Sequence, residues 1–385
     1  MNNYSIKLTV LRSLYSDKLF RSFVKAYDSH AMEDFYYELY ACGAENDFME
    51  KLCSKILLNE NAFSRTCANS NTPSAYLLDA YIDDLDKIFN AAKSFSSDEH
   101  FNLGNVIPPF DGESNEKTAT NLIDFYAAHG YGQFIAYKAF TYENGQLLPI
   151  PNTTSITLGE LKNYENEKKQ IDVNLTNFIN NLPYANMLLY GDRGTGKSST
   201  VHAMLNKYFE DGLRLIEINK DNISAIAKIR ELITDNPLKF IVFIDDISLS
   251  ECDEKISTLK VGLEGSVCNN NNNMMIIATS NRRHIIKENF SDRENAVHPN
   301  ESMAEQLSLS DRFGITVLFS NTGKEQYLSI VEQLANDRNL PTNRLELRAL
   351  AERWAIIKGG RSPRRAKQFI DYVYACSQRN AEIEF

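Results

Sequence analysis

The sequence is short of the features that would place it in a membrane or an oxidising compartment. No apolar run approaches the roughly 20 residues that a membrane-spanning helix needs. The opening Met1-Asn2-Asn3-Tyr4-Ser5 lacks a basic-then-apolar leader profile, so a cytoplasmic address and no membrane partner are expected. The six cysteines, Cys42, Cys53, Cys67, Cys252, Cys268 and Cys376, include no C-x-x-C pair, and none lies near a histidine at zinc-site spacing. They read as small buried apolar residues. Positive charge is also in deficit, with a formal net charge of −10. Residues 1–100 are net acidic and only residues 321–385 are mildly basic. A protein held by phosphate backbones normally carries a broad basic face, so nucleic acid is a disfavoured partner, though not an excluded one. No repeat occurs at solenoid or propeller periods.

At 385 residues and 43% hydrophobic content the chain has material for two or three cores. Apolar residues at helical spacing (Leu8, Leu11, Leu14, Tyr15, Leu19, Phe23; Phe35, Tyr36, Leu39, Tyr40; Tyr76, Leu77, Tyr81, Leu85, Phe89) predict a helical domain over residues 1–100. A packed core is favoured for these stripes over a partner-binding groove. Residues 59–72, rich in Asn, Ser and Thr, read as a loop. Residues 101–154 read as a linker, with a helix near 119–128, strand-like alternation over 133–142 and an Asn144-Gly145 hairpin turn. From 155 to 320, short apolar strands at 187–190, 213–218, 240–244, 274–279 and 315–319 alternate with helical segments, which predicts a doubly wound parallel α/β sheet. The pattern from 321 to 385 is helical again.

Gly191-Asp192-Arg193-Gly194-Thr195-Gly196-Lys197-Ser198 fits G-x-x-x-x-G-K-[ST] and sits between a strand and a helix. Glycines let the backbone wrap phosphate oxygens, and the amides at the helix start form an anion nest. Lys197 is expected to reach the β- and γ-phosphates, Ser198 to ligate Mg²⁺, and Thr195, Gly196 and Ser199 to donate further contacts. Asp245 and Asp246 end the apolar strand 240–244. Asp245 is placed to hold Mg²⁺, and Asp246 to orient or deprotonate the attacking water. Asn281, after the strand 274–279, can hold that water, or it is a turn residue. Arg282 and Arg283 read as surface or interface charges. Arg312, in Ser310-Asp311-Arg312-Phe313-Gly314, suits a cation offered to a neighbouring subunit's nucleotide, or a local ion pair. Arg361, Arg364 and Arg365 open a helix against its macrodipole, so an anion should compensate them. A triphosphate, nucleic acid and an acidic protein surface are the candidates.

Together these motifs, with Gly212-Leu213-Arg214-Leu215-Ile216-Glu217, Ala278-Thr279-Ser280-Asn281-Arg282-Arg283-His284 and Gly360-Arg361-Ser362-Pro363-Arg364, resemble the AAA+ ATPases. In particular they resemble the bacterial domain of unknown function 815 family, with weaker likeness upstream at Gly130-Tyr131-Gly132. The resemblance implies a five-stranded parallel core flanked by helices, a C-terminal helical lid and ATP with Mg²⁺ clamped between core and lid. It makes Asp245 the Walker B acid, Asn281 the sensor-1 residue, Arg312 the arginine-finger candidate and Arg364 the sensor-2 residue. It also implies a homo-oligomer with shared sites. Two departures qualify it. Asp246 stands where most such ATPases have glutamate, which predicts slow turnover because misplacement of about 1 Å can cost about 10²-fold. No aromatic-apolar-glycine loop lies between Leu213 and Phe240, which disfavours protein threading. The expected function is ATP-driven conformational work on a protein client chosen by the N-terminal region. A low-turnover nucleotide switch and a nucleic-acid loader are the alternatives.

Overall fold

The computed structural model describes residues 4–247, 273–281, 313–340, 343–379 and 381–383. Arg282, Arg283, Arg312, Cys252, Cys268 and most of the asparagine run 269–273 lie outside the described residues. The chain divides into two units, residues 1–137 with 233–238, and residues 138–232 with 239–385.

The first unit is built from helices α1 (Lys18–Ser29), α2 (Glu33–Ala41), α3 (Phe48–Leu57), α4 (Ala62–Ala68), α5 (Ala75–Lys93) and α6 (Asn115–His129), followed by the short α7 (Gln133–Ala136). The aromatic stripes form its core. Phe23, Phe35 and Phe48 are fully buried, with ring centroids 5.2–6.0 Å apart. Tyr40 and Tyr76, read with those stripes, point outward instead. The loop expected over 59–72 contains α4. Asn61 accepts from the Ser64 amide while the Ser64 hydroxyl accepts from the Asn61 amide, a capping box made by the residue types that suggested a loop. The buried Asp84 carboxylate of α5 accepts from the amides of Thr9, Val10 and Leu11, tying down the start of the chain.

The second unit carries one seven-stranded sheet in the order β2-β1-β4-β5-β6-β3-β7. Its strands are β1 (Ala139–Glu143), β2 (Gln146–Pro149), β3 (Met187–Gly191), β4 (Leu213–Ile218), β5 (Lys239–Ile244), β6 (Met274–Ser280) and β7 (Ile315–Phe319). The five expected parallel strands are present, and the count of five is corrected to seven. The hairpin β1–β2, expected in a linker, extends the sheet because β1 pairs in parallel with β4, Phe140 opposite Ile216. The strand expected over 133–142 begins only at Ala139, since Gln133–Ala136 is helical. Strands β5 and β6 are buried almost throughout, as strands covered on both faces must be. Helices α8 (Glu165–Ile179) and α9 (Lys197–Tyr208) contribute Ile171, Leu175, Phe178, Val201 and Met204 to the core with Leu189 and Ile241.

The lid is three helices, Lys324–Asp337, Arg344–Ile357 and Pro363–Gln378, closed around Tyr327, Val331, Trp354, Phe369 and Ile370. Pro363 at the first turn and Ser362, which accepts from the Arg365 amide at 3.3 Å, start the last helix.

Candidate functional site

The strand order brings three chain segments to one end of the sheet. β3 lies between β6 and β7, and β5 lies beside β6, so the ends of β3, β5 and β6 are neighbours. The loop after β3 leads into α9 through Gly196, which is left-handed at φ 101°. Lys197 follows, 5% exposed, with Nζ donating to the carbonyls of Gly191 (3.0 Å) and Asp192 (2.8 Å) and to Asn281 Oδ1 (3.1 Å). Burial pulls the Lys197 ammonium below its ordinary pKa, while Asp246, Asp192 and Asp245 push it back up. Thr195 ties the loop to itself by donating to the Asp192 carbonyl at 2.9 Å. Arg193 is exposed, and Ser199 lines the adjoining cavity.

Asp245 and Asp246 follow β5. Asp245 Oδ1 accepts from the Ser198 hydroxyl at 2.7 Å and from the Thr279 hydroxyl at 2.6 Å. Asp246 is left-handed at φ 54°, and its Oδ1 accepts from Asn281 Nδ2 at 2.6 Å. Lys197, Asn281 and Asp246 thus form one chain of hydrogen bonds, and Ser198, Asp245 and Thr279 form a second beside it. The role of Thr279 was not singled out from the sequence. Its signal is register, since Ile244 pairs with Ala278 and the next residues along are Asp245 and Thr279.

On the lid side, the Arg364 amide donates to the Gly194 carbonyl at 3.2 Å. A cavity of about 370 Å³ opens between the loop and the lid, within the size range of ligand pockets. Gly194, Thr195 and Ser199 line one side, and Tyr164, Arg364 and Lys367 line others. Arg361 and Arg365 are engaged elsewhere. Arg361 makes a bidentate pair with Glu352 (3.0 and 2.8 Å), and Arg365 bonds Gln368.

The residues fit the implied ligands. Ser198 and Asp245 offer hard oxygen donors in contact, suited to Mg²⁺ with phosphate and water completing its shell. Among the described residues no cluster of three His, Cys, Asp or Glu competes for a metal. The left-handed glycine and the helix start at Lys197 suit an anion.

A mostly parallel sheet with a glycine loop leading from an interior strand into a helix, acids ending the strand two places away and a three-helix lid define a P-loop fold of the AAA+ kind. Residues 134–377 match the family described as "Protein of unknown function (DUF815)", and the chain belongs to that family. Among solved structures the chain is similar to Thermotoga maritima RuvB, described as a Holliday junction branch migration motor. That match has 16% identity and a TM-score of 0.40, and it covers 58% of this chain and 66%, just under two thirds, of that one. A variant of the same Thermotoga protein matches at 16% identity and a TM-score of 0.41, over 58% of this chain and 67% of that one. No curated protein matches the chain.

Proposed function

We propose that the protein is a Mg²⁺-dependent ATPase that turns over slowly and uses the cycle for conformational work on a protein client. One observation carries the reading: Lys197 Nζ, Asn281 and Asp246 are joined in a line at the mouth of the glycine loop, 3.1 and 2.6 Å apart. The present acceptors of Lys197 are two neutral carbonyls and an amide oxygen, and a triphosphate oxygen competes well against these because its bond is charge-assisted. Ser198 and Asp245 would hold the magnesium, which when bound would neutralise phosphate charge during the transfer. Asn281 orients the attacking water, Asp246 accepts its proton, and Arg364 brings a cation from the lid to the phosphates. Gly191, Asp192, Arg193, Gly194, Thr195, Gly196 and Ser199 complete the cradle. Arg312 acts across a subunit boundary in a homo-oligomer, and the acidic helical N-terminal region selects the client in the cytoplasm.

Purified protein should release phosphate from ATP only with Mg²⁺, and Lys197→Ala should lower that rate by about 10²-fold or more. Equal rates for the two proteins overturn the enzyme reading. A second reading, a nucleotide switch with little turnover, is favoured by Asp246, whose carboxylate is one methylene shorter than glutamate's. Nucleic-acid loading gains little, since Arg361 and Arg365 already have partners on the lid.

A further inference from the structure

Thr279 lies within β6, 2% exposed, and no step of the proposed reaction uses it. Its hydroxyl donates to Asp245 Oδ1 at 2.6 Å and accepts from the Asp246 amide at 2.8 Å. Its carbonyl accepts from the Ile247 amide, also at 2.8 Å. One residue of β6 therefore grips three consecutive residues after β5. The turn it grips is left-handed at Asp246, φ 54°, a conformation that among non-glycine residues mainly asparagine and aspartate adopt. Both hydroxyl donors to Asp245, from Ser198 and Thr279, land on the same oxygen, Oδ1. The rotation of the carboxylate is thereby set, with Oδ2 turned to the other side. Ser198 is needed by the metal, whereas Thr279 is anchored in the sheet and belongs to neither ligand.

We propose that the Thr279 hydroxyl is the positioning group of this site, orienting the Asp245 carboxylate toward the metal and holding Asp246 in the left-handed turn that aims its carboxylate at Asn281. The inference rests on the Mg²⁺-ATPase reading and deepens it. Thr279 touches no reacting atom. It acts through two carboxylates, one for the metal and one for the water, so its loss should lower turnover and metal-linked affinity together and leave metal-free nucleotide binding unchanged. Asn281, two residues further on and just past the end of β6, bonds only the second of those carboxylates.

The test compares Thr279→Val, which keeps the shape and loses both hydrogen bonds, with Thr279→Ser, which keeps the hydroxyl. Two readouts are taken on the full chain. One is kcat and KM for ATP; the other is the gain in ATP affinity on adding Mg²⁺, measured by calorimetry. Thr279→Val should lower kcat by about 10- to 100-fold, the range expected from one charged hydrogen bond. It should lose most of the Mg²⁺ gain and raise KM for ATP with Mg²⁺ accordingly, and Thr279→Ser should restore kcat and the Mg²⁺ gain to within about threefold. A valine variant within twofold of the parent on both readouts overturns the proposal. So does a folded serine variant as impaired as valine, because the methyl group would then be the feature that matters. If the parent releases no phosphate but shows the Mg²⁺ gain, the hydrolysis reading falls and the calorimetry still decides the role of Thr279. A parent without any Mg²⁺ gain overturns both.

Discussion

Gly191 and Gly196 both belong to the glycine loop after β3, yet alanine at the two positions should fail for different reasons. Gly191 ends β3 opposite Phe319 of β7, with φ at 129°. A Cβ there would overlap the Phe319 carbonyl oxygen and lie 2.8 Å from its carbon. Those atoms are backbone in a paired strand, so no side-chain rotation relieves the clash. Backbone strain of about 1–3 kcal/mol and overpacking of about 1–3 kcal/mol add to roughly 2–6 kcal/mol, a large part of an ordinary domain's stability. For a unit of this size each kcal/mol moves Tm by about 2–4 °C, so Gly191→Ala should melt at least about 4 °C lower. At Gly196 nothing lies within 4 Å of an added Cβ, and only the left-handed strain at φ 101°, about 1–2 kcal/mol, applies. Gly196→Ala should therefore stay closer to the parent in Tm while losing ATP affinity, because its backbone shapes the anion nest. Thermal melts and ATP calorimetry on both variants check this. A Gly191→Ala protein melting within about 2 °C of the parent, or above Gly196→Ala, refutes the reasoning.

Asp84→Asn should cost about 2 kcal/mol, because three amides lose a charged acceptor and one meets a donor; faster hydrogen exchange at residues 9–11 reports it. Asp246→Glu should raise phosphate release if the short carboxylate limits turnover, and an unchanged or lower rate counts against that cause. Lid stability should fall in acid. Arg344, then Arg348, hold the Glu332 carboxyl below its ordinary value of 4.5, and Arg361 does the same for Glu352. A depressed carboxylate stabilises the fold above that ordinary value and loses its contribution as pH falls through the lower one. Melts below about pH 4.5 should flatten in Glu332→Gln and Glu352→Gln, by a modest amount because both carboxylates are only partly buried and their arginine partners reach solvent. Burial raises the Cys53 thiol to about 11 and the Cys67 thiol to about 12. Neutral-pH alkylation should spare both until the protein unfolds, and labelling of either in the native state contradicts the burial.

The features legible in the sequence are those whose cause is local. The glycine loop, the apolar strands and the acids ending β5 each follow from a few adjacent residues, and the expected strands 213–218 and 315–319 coincide with β4 and β7. What was hidden depends on pairing between distant segments. The β1–β2 hairpin reads as a linker until β1 is known to lie against β4. Thr279 is one residue of an apolar strand until the register sets it opposite the acids. Around α4 the difficulty was different, because Asn and Ser favour both loops and helix caps, and only the paired bonds of Asn61 and Ser64 decide between them. The place of Arg312 lies outside the described residues.

The arginines that open the last lid helix test how far charge alone can be read as function. All three sit where the helix macrodipole is unfavourable to cations, and charge and position alone do not separate them; only the family resemblance singles out Arg364. The structure does separate them: Arg361 meets Glu352 in a bidentate pair on the lid itself, and Arg365 reaches Gln368 along the same helix. Arg364 is the one whose backbone amide bonds the glycine loop, at Gly194, and whose side chain lines the cavity there. Its charge is close enough to depress the Lys197 ammonium further. Arg364 and Lys197 thus repel each other across the glycine loop, and an anion held between them would reverse the sign of that interaction. Arg364→Ala should accordingly weaken ATP binding, while Arg361→Ala should leave ATP affinity within about twofold and lower Tm slightly, as expected for a partly exposed pair. Equal loss of ATP affinity in both variants, measured by calorimetry, means that the lid acts through its general charge and that the sorting of its arginines has no bearing on the nucleotide.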